Sequence, residues 1–167
     1  MTFCCEWYRL PSTTAGKRVR ERERIERLRG FEALCRRRGL PLTVQRRTIL
    51  EAVLESDTHP TADAVYQVVR ERVPAVSRTT VYRVLDTLVE LGVIRQVQQT
   101  GTAARFDGNT RRHHHLICSL CGRMADLEAP ELDQLPLPGG NPKGFRIDDY
   151  TVQFLGICAA CRKAEDR

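Results

Sequence analysis

The chain has 167 residues, which suffices for one domain or two small ones but not for a large enzyme barrel. Hydrophobic residues make up 41% and charged residues 29%, a composition typical of a folded protein and too apolar for wholesale disorder. No apolar run approaches the roughly 18–20 residues of a membrane span, and residues 1–20 lack the apolar core of a secretory signal. We therefore predict a cytoplasmic protein with no membrane partner.

The positive charge is concentrated in the first part of the chain. Residues 1–98 hold 18 Lys and Arg against 12 Asp and Glu, whereas residues 99–167 hold 9 of each kind. A basic half beside a neutral half indicates an acidic partner, most simply a nucleic-acid backbone, although a basic surface can also serve solubility alone.

The first elements in chain order are a loose extension over 1–20 and a basic helix over 17–38. A thin apolar stripe runs along that helix at Ile25, Leu28, Phe31, Leu34 and Cys35. Three shorter helices are predicted over 44–55, 62–73 and 78–91, with N-caps at Thr43, Thr61 and Ser77 and a stop at Gly92. Their predicted buried faces are Ile49, Leu50, Val53 and Leu54; Val65, Val68, Val69 and Val73; and Val81, Val84, Leu85, Leu88 and Leu91.

The helix over 78–91 carries hydroxyls, an aromatic ring and arginines near its N-terminus, as a helix that reads base edges in a major groove requires. The candidate DNA contacts, together with one on the helix over 44–55, are Arg46, Arg78, Thr79, Thr80, Tyr82 and Arg83. Residues 93–99 alternate like a strand, and 103–107 can pair with them. Three short helices followed by a hairpin predict a winged helix-turn-helix, although any small helical domain can show the same stripes.

The remainder predicts a small second domain of helix and sheet. Residues 115–127 and 145–157 read as strands, separated by one helical turn over 131–135 and a Pro- and Gly-rich segment over 136–142. The predicted fold class is α+β. The predicted divisions are an extension (1–20), a winged-helix DNA-binding domain (21–102), a hinge (103–109) and a dimerisation and metal-binding domain (110–167). So small a second domain needs a metal or a dimer partner for stability.

Four of the seven cysteines form two C-x-x-C pairs, separated by 36 residues. They are Cys118 with Cys121 and Cys158 with Cys161. Four thiolates in this spacing predict a structural Zn²⁺, and a redox dithiol is the competing interpretation. Cys4, Cys5 and Cys35 show no such spacing.

Histidines and acids suggest a second metal site. On a strand, His113 and His115 point to one face and His114 to the other. His59 precedes the third helix, Asp107 lies upstream of the histidine run, and Asp126 follows on the next strand segment. A mixed shell of nitrogen and oxygen suits Fe²⁺, Mn²⁺ or Zn²⁺, although a histidine run can equally be surface decoration.

The sequence resembles the ferric uptake regulator (Fur) superfamily of metal-dependent repressors. The motifs that carry the resemblance occur in family order over roughly residues 24–163. They are Leu42-Thr43-x-Gln45-Arg46, His59-Pro60-Thr61-Ala62-Asp63, Ser77-x-x-Thr80-Val81-Tyr82-Arg83-x-Leu85, Arg105-Phe106-Asp107, His113-x-His115-Leu116-x-Cys118-x-x-Cys121-Gly122 and Gly156-x-Cys158-x-x-Cys161.

The resemblance implies a homodimeric repressor that binds pseudo-palindromic operator DNA and is not an enzyme with a small-molecule substrate. It implies structural Zn²⁺ on the four paired cysteines and regulatory Fe²⁺ or Mn²⁺ on His59, Asp107, His113, His115 and Asp126. At position 126 the sequence has an aspartate, where iron-uptake members tend to have glutamate. In this respect it resembles the peroxide-sensing branch. In that branch, bound Fe²⁺ reacts with hydrogen peroxide, and the resulting oxidant modifies ligand histidines. Here these would be His59 and His113.

Three positions depart from the family pattern. Arg83 is the residue expected of iron-uptake members rather than peroxide sensors, so the operator sequence stays open. Pro41 replaces a basic residue that reaches toward the minor groove, and Tyr150 replaces a histidine of an additional metal site, which argues against that site here.

Other functions stay open at this point. Within the repressor class, iron- and zinc-responsive regulators compete with peroxide sensing. From other classes, two histidines and a carboxylate can serve a mononuclear non-haem iron enzyme, and the cysteines can serve a redox-active interaction protein.

Overall fold

The structure, a computed structural model, describes residues 14–98, 103–136 and 142–165. These ranges contain five α-helices, five short strands and one 3-10 helix. The helices are α1 (Thr14–Arg38), α2 (Val44–Leu54), α3 (Ala62–Arg72), α4 (Arg78–Glu90) and α5 (Ala159–Glu165). The strands are β1 (Arg95–Val97), β2 (Arg105–Asp107), β3 (His114–Cys118), β4 (Met124–Leu127) and β5 (Gln153–Gly156), and the 3-10 helix is Pro142–Gly144.

The ends of α2, α3 and α4 follow from local capping, as predicted. The side chains of Thr43, Thr61 and Ser77 each accept a hydrogen bond from the amide three residues further on. Gly92 follows the C-cap of α4 with φ +67°, a left-handed conformation that glycine adopts without strain. The predicted starts of these three helices are therefore confirmed.

The N-terminal core lies between α1, α2, α3 and α4. Most predicted apolar faces are buried, including Phe31 of α1 and Leu85 of α4. Val68 was predicted to be buried but is 36% exposed, so that prediction is wrong, and Ile25, at the start of the apolar stripe of α1, is 39% exposed. On α3 the buried residues are Ala62, Val65 and Val69, and Val68 projects from the edge of that stripe because each helical step turns the side chain by about 100°.

The wing is a two-stranded antiparallel sheet in which Gln96 of β1 faces Phe106 of β2. Both strands are shorter than the predicted ranges 93–99 and 103–107, and residue 99 lies outside the described part of the chain. The amides of Val93 and Ile94 both donate to the carbonyl of Leu88, so the end of α4 keeps these residues out of the ladder.

The C-terminal sheet has the strand order β4-β3-β5, with β3 antiparallel to β4 and parallel to β5. The range 115–127, predicted as strand, is divided into β3 and β4 by a tight turn. Gly122, at φ +69°, donates to the Cys118 carbonyl, and the Cys118 amide donates to the Arg123 carbonyl.

Two further sequence expectations differ from the structure. Of the predicted strand 145–157 only Gln153–Gly156 is paired as β5, because the Tyr150 hydroxyl instead bonds to residues 132 and 135. Helix α5 was not predicted. Helix α1 begins at Thr14, so the expectation of a loose segment is wrong for residues 14–20, whereas residues 1–13 and 137–141 lie outside the described ranges.

Among the described residues, no helix combines the length and the apolar character that crossing a bilayer requires.

Adjacent valines on α3 offer a test of this packing. We expect Val69→Ala, at a fully buried position, to lower the free energy of unfolding by about 2 kcal/mol in urea denaturation. Val68→Ala, on the exposed edge, should change it by less than about 0.5 kcal/mol. Equal losses at the two positions would contradict the burial described above.

Candidate metal centres

Four side chains from different parts of the chain meet in one buried cluster. His59 lies in the loop between α2 and α3, Asp107 ends β2, His113 precedes β3 and His115 lies in β3. One ligand atom from each falls within 4.8 Å of the others, and the four residues are only 3–5% exposed. The structure therefore brings together four of the five residues predicted to hold the regulatory metal, from both halves of the molecule.

The fifth predicted residue, Asp126, closes the cluster from β4. The sheet register places it directly opposite His115. Its Oδ1 atom lies 2.9 Å from Nε2 of His59 and 3.7 Å from Nε2 of His113. The Asp126 side chain is 37% exposed, so this edge of the cluster meets solvent. A cavity of about 420 Å³ lies beside it, and His59, Asp107 and Asp126 contribute to its lining.

The donor atoms of the cluster point toward a common centre. Nε2 of His113 lies 3.0 Å from Oδ2 of Asp107 and 3.0 Å from Nε2 of His115. His113 Nδ1 donates to the Arg111 carbonyl at 2.9 Å, and this bond directs Nε2 inward. His59 Nε2 and Asp107 Oδ2 are buried without a partner in hydrogen-bond geometry. Buried polar atoms without partners are costly, and a metal ion would satisfy them, so the donor set fits a divalent cation.

Without a metal the cluster carries protons. Burial would lower the pKa of His59, but the carboxylates of Asp107 and Asp126 outweigh it and raise the pKa to about 9. The Asp107 carboxylate likewise raises the pKa of His113 against the effect of burial. Burial would raise the pKa of Asp107, but the three histidines hold it well below its usual range.

His59 holds an unusual backbone conformation. Its φ is +50°, in the left-handed region that non-glycine residues seldom adopt, and Pro60 follows it. Such conformations persist where the surrounding structure enforces them, often at ligand-binding positions. Here the conformation turns the imidazole toward Asp107 and Asp126.

Sequence reasoning missed Asn109, which joins the two acids of the cluster. Its backbone amide donates to Oδ1 of Asp107 at 2.6 Å, and its side-chain amide donates to Oδ2 of Asp126 at 3.2 Å. The sequence Asp107-Gly108-Asn109 is typical of a turn in which an aspartate caps the amide two residues on, so this contact had a local signal.

The four paired cysteines form the second cluster, with their sulfur atoms within 4.8 Å of one another. Cys118 ends β3 and Cys121 lies in the turn between β3 and β4, whereas Cys158 and Cys161 lie at the start of α5. The Cys121 and Cys158 sulfurs are 3.8 Å apart. Four sulfurs in this arrangement fit tetrahedral Zn²⁺. The Cys158 amide, 3.4 Å from Cys118 Sγ, is the main cause that lowers the Cys118 pKa to about 6, which favours the thiolate that a metal needs.

Of the predicted DNA contacts, Arg78, Thr79, Tyr82 and Arg83 are exposed, whereas Arg46 and Thr80 are half-buried. Thr79, Tyr82 and Arg83 project from the outer face of α4. The other three make internal contacts: Arg46 donates to the Pro41 carbonyl, Arg78 pairs with Asp63 and lies over the Tyr66 ring, and the Thr80 hydroxyl bonds to Ser77.

Tyr150, the departure noted in the sequence, belongs to a separate cluster with Arg112, His114 and Asp133. The Arg112 guanidinium lies 4.3 Å from the centre of the Tyr150 ring and 3.3 Å from Oδ1 of Asp133. His114 Nε2 is 3.3 Å from the same carboxylate oxygen. The Arg112 guanidinium therefore provides a positive charge among these side chains. The sequence-based expectation that they hold no additional metal stays a prediction.

Together these features define a protein in which a winged helix is joined to a small sheet domain by a buried cluster of side chains that could hold a metal ion. The ferric uptake regulator family model matches residues 37–155. A peroxide-responsive repressor, PerR, of Staphylococcus aureus is 32% identical over 130 residues, covering 78% of this chain and 88% of its own. The chain therefore belongs to the ferric uptake regulator family.

Solved structures agree on the fold. The Helicobacter pylori ferric uptake regulator, described as having three functional metal-binding sites, superposes with a TM-score of 0.67 at 19% identity, over 83% of this chain and 93% of its own. A zinc uptake regulator complexed with zinc and DNA superposes with a TM-score of 0.64 at 26% identity, over 86% and 98%.

The raised pKa of His59 predicts a pH dependence of stability for protein with no metal at the histidine cluster. The contribution of protonated His59 is fully present below pH 6.5, its ordinary pKa, and is lost as pH rises through about 9. Loss of this contribution should lower the free energy of unfolding by about 3 kcal/mol across this window, because one unit of pKa shift corresponds to about 1.4 kcal/mol. His59→Gln should lack this part of the fall, and parallel pH profiles for the two proteins would contradict the assignment.

Proposed function

We propose that this protein is a metal-dependent transcriptional repressor that binds operator DNA as a homodimer and senses peroxide through Fe²⁺. The observation that carries the proposal is the buried cluster of His59 with Asp107, His113, His115 and Asp126. His59 belongs to the winged-helix half, whereas three of the others belong to the sheet domain. A cation that needs ligands from both halves binds well only in the closed arrangement.

This arrangement links metal binding to DNA binding. A ligand shifts a conformational equilibrium by its difference in affinity for the two states, and couplings of about 1–3 kcal/mol change the second affinity roughly 5–150-fold. In the closed arrangement His59 fixes the loop that leads into α3, and α3 packs against α4. The metal therefore sets the position of the outer face of α4, where Thr79, Tyr82 and Arg83 are exposed.

An exposed apolar face of the C-terminal sheet supports a homodimer. Leu116 faces Phe154 across β3 and β5, and both are more than 40% exposed. A groove of about 360 Å³ runs along these strands, and Leu155 and Ile157 at its edge are also exposed. Large apolar patches of this kind mark protein interfaces. A twofold dimer presents two α4 helices, so its operator should be a pseudo-palindrome.

The ligand types support a regulatory Fe²⁺ or Mn²⁺ at the histidine cluster and Zn²⁺ at the cysteines. Imidazole and carboxylate suit iron and manganese, whereas thiolates suit zinc. Fe²⁺, when bound, would supply one-electron chemistry with hydrogen peroxide that Mn²⁺ does not. His59 and His113 would be the residues oxidised, and the cavity beside Asp126, which His59 lines, gives a small oxidant access to this edge of the cluster.

The protein is proposed to act on DNA in the cytoplasm rather than as an enzyme on a small-molecule substrate. The cavity beside the histidine cluster is lined mainly by charged and polar side chains, which come from α1, from the loop between α2 and α3 and from residues 107–128. Substrate pockets are mostly apolar with a few polar groups, so this lining does not favour the iron-enzyme alternative.

Removal of one thiol tests the structural zinc. We expect Cys121→Ser to lose zinc by inductively coupled plasma mass spectrometry and to lose the dimer mass in sedimentation velocity, because three thiolates hold zinc less well and the metal stabilises the fold. Cys35→Ala, which removes a buried cysteine from the N-terminal core, should keep zinc. A Cys121→Ser protein with full zinc content and full dimer mass would contradict the site.

Removal of one imidazole tests the switch. Operator fragments are first selected from a random duplex pool with the Mn²⁺-loaded protein. We expect His113→Ala to lose Mn²⁺-dependent binding to these fragments in gel-shift titrations while it keeps its zinc and its mass. Tyr82→Ala should bind Mn²⁺ normally but lose affinity for the selected DNA. Glu128→Gln, which alters a residue that lines the cavity beside the histidine cluster, should match the wild type. Unchanged Mn²⁺-dependent binding by His113→Ala would overturn the regulatory site.

Peroxide sensing is tested by intact-mass and peptide mass spectrometry after dilute hydrogen peroxide. We expect one added oxygen atom on His59 or His113 in the Fe²⁺-loaded protein and none in the Mn²⁺-loaded protein. An Fe²⁺-loaded protein that keeps both histidines unmodified and stays on its DNA would instead support an iron-responsive repressor.

A further inference from the structure

One guanidinium connects the two metal-ligating clusters. Arg105, the first residue of β2, donates from Nη1 to the carbonyl of His59 at 3.0 Å and from Nη2 to the carbonyl of Gly122 at 2.9 Å. The side chain is partly buried, and both donors serve main-chain carbonyls rather than a carboxylate. A charged donor on a neutral carbonyl makes a strong, directional bond, so this side chain fixes the distance between two backbone segments.

The two carbonyls belong to the segments that present the ligands. His59 itself supplies an imidazole to the histidine cluster. Gly122 directly follows Cys121 and donates its own amide to the Cys118 carbonyl, so it completes the turn that presents the first cysteine pair. Arg105 therefore bonds to both ligand-bearing loops from a strand that ends, two residues later, in Asp107.

The His59 loop depends on contacts of this kind. Its left-handed backbone at φ +50° is not one that the chain adopts without support. Two consecutive carbonyls of the loop are held by β2, one by the Arg105 side chain and the next, at Pro60, by the amide of Phe106 at 2.9 Å. The other ligands of the cluster lie on β2, next to β3, in β3 and in β4, and do not need this support.

We propose that Arg105 is a positioning residue that couples the cysteine cluster to the histidine cluster, by holding His59 against the turn that carries Cys121. The inference rests on the proposed regulatory metal at the histidine cluster. Its consequence is that an intact cysteine cluster sets the affinity of the regulatory site. Loss of an outer contact to a metal-ligating residue typically lowers metal affinity 10–100-fold.

The test compares Arg105→Gln and Arg105→Lys with the wild type and with Arg123→Gln. Arg123 is a matched control because it is an exposed arginine at the same turn, two residues from Cys121. All four proteins are prepared with zinc, and zinc content and melting temperature are recorded first. Hydrogen exchange of residues 56–61 is then measured without added metal, and Mn²⁺ affinity is measured by titration calorimetry.

We expect Arg105→Gln to keep its zinc, to exchange faster over residues 56–61 and to bind Mn²⁺ at least tenfold more weakly. In Arg105→Lys a single ammonium replaces the two donor nitrogens of the guanidinium. Its exchange rate and Mn²⁺ affinity should lie between those of Arg105→Gln and the wild type. Arg123→Gln should match the wild type. Should Arg105→Gln not fold, the Arg105→Lys variant carries the same comparison.

A double variant separates positioning from general destabilisation. If Arg105 acts through His59, then His59→Ala combined with Arg105→Gln should bind Mn²⁺ no more weakly than His59→Ala alone. Additive losses, or exchange and Mn²⁺ affinity equal to those of Arg123→Gln, would overturn the inference. Equal Mn²⁺ affinity of the wild type and His113→Ala would instead overturn the proposed regulatory site, and the exchange of residues 56–61 would still report on Arg105.

Discussion

The arrangement of the whole molecule depends on Asp107, a buried carboxylate that faces three imidazoles. Its Oδ2 atom lies 3.0 Å from His113 Nε2 and 3.9 Å from His115 Nε2, and its Oδ1 atom lies 3.5 Å from His59 Nε2. A buried charge is tolerated only with compensating partners, so Asp107 draws the histidines of both halves to one point. Protons fill that role in the absence of metal, and a divalent cation fills it with ligand bonds in place of protons.

Strand β2 connects the Asp107 carboxylate to the rest of the fold. The strand is half of the wing, since Phe106 pairs with Gln96, and its last residue is Asp107. Two of its three residues also hold the His59 loop, Arg105 through its side chain and Phe106 through its amide. This short strand thus belongs to the winged-helix half through its pairing with β1 and to the histidine cluster through Asp107 at its end. A displacement of either one therefore displaces the other.

Local signals made much of the fold predictable from the sequence. The capping residues Thr43, Thr61 and Ser77 act within one helical turn, so the starts of α2, α3 and α4 follow from neighbouring residues alone. The five candidate ligands were grouped from their residue types and then from the family resemblance, whereas their convergence depends on the pairing of His115 with Asp126 and on the loop at His59. Such contacts join distant segments, and no periodicity in the chain reports them.

The features that sequence reasoning missed are those in which side chains override local preference. Residues 145–157 have the composition of a strand, but the Tyr150 hydroxyl donates to the Leu132 carbonyl at 2.6 Å and accepts from the Leu135 amide. This segment is therefore held against the turn at 130–135, and only its last part reaches β3. Helix α5 is too short to show a periodic pattern.

The cysteine cluster explains why so short a helix forms at all. A helix of seven residues is only marginally stable by itself. The conformational entropy lost in forming its first turn outweighs the stabilisation from its few hydrogen bonds. Cys158 lies just before α5 and Cys161 in its first turn, and their sulfurs meet those of the turn between β3 and β4. Ligation of all four sulfurs would hold that first turn in place and dock α5 at the end of the sheet. The same ligation would fix Gly122, and through Arg105 the order imposed by the cysteines would extend to His59 in the other half of the molecule.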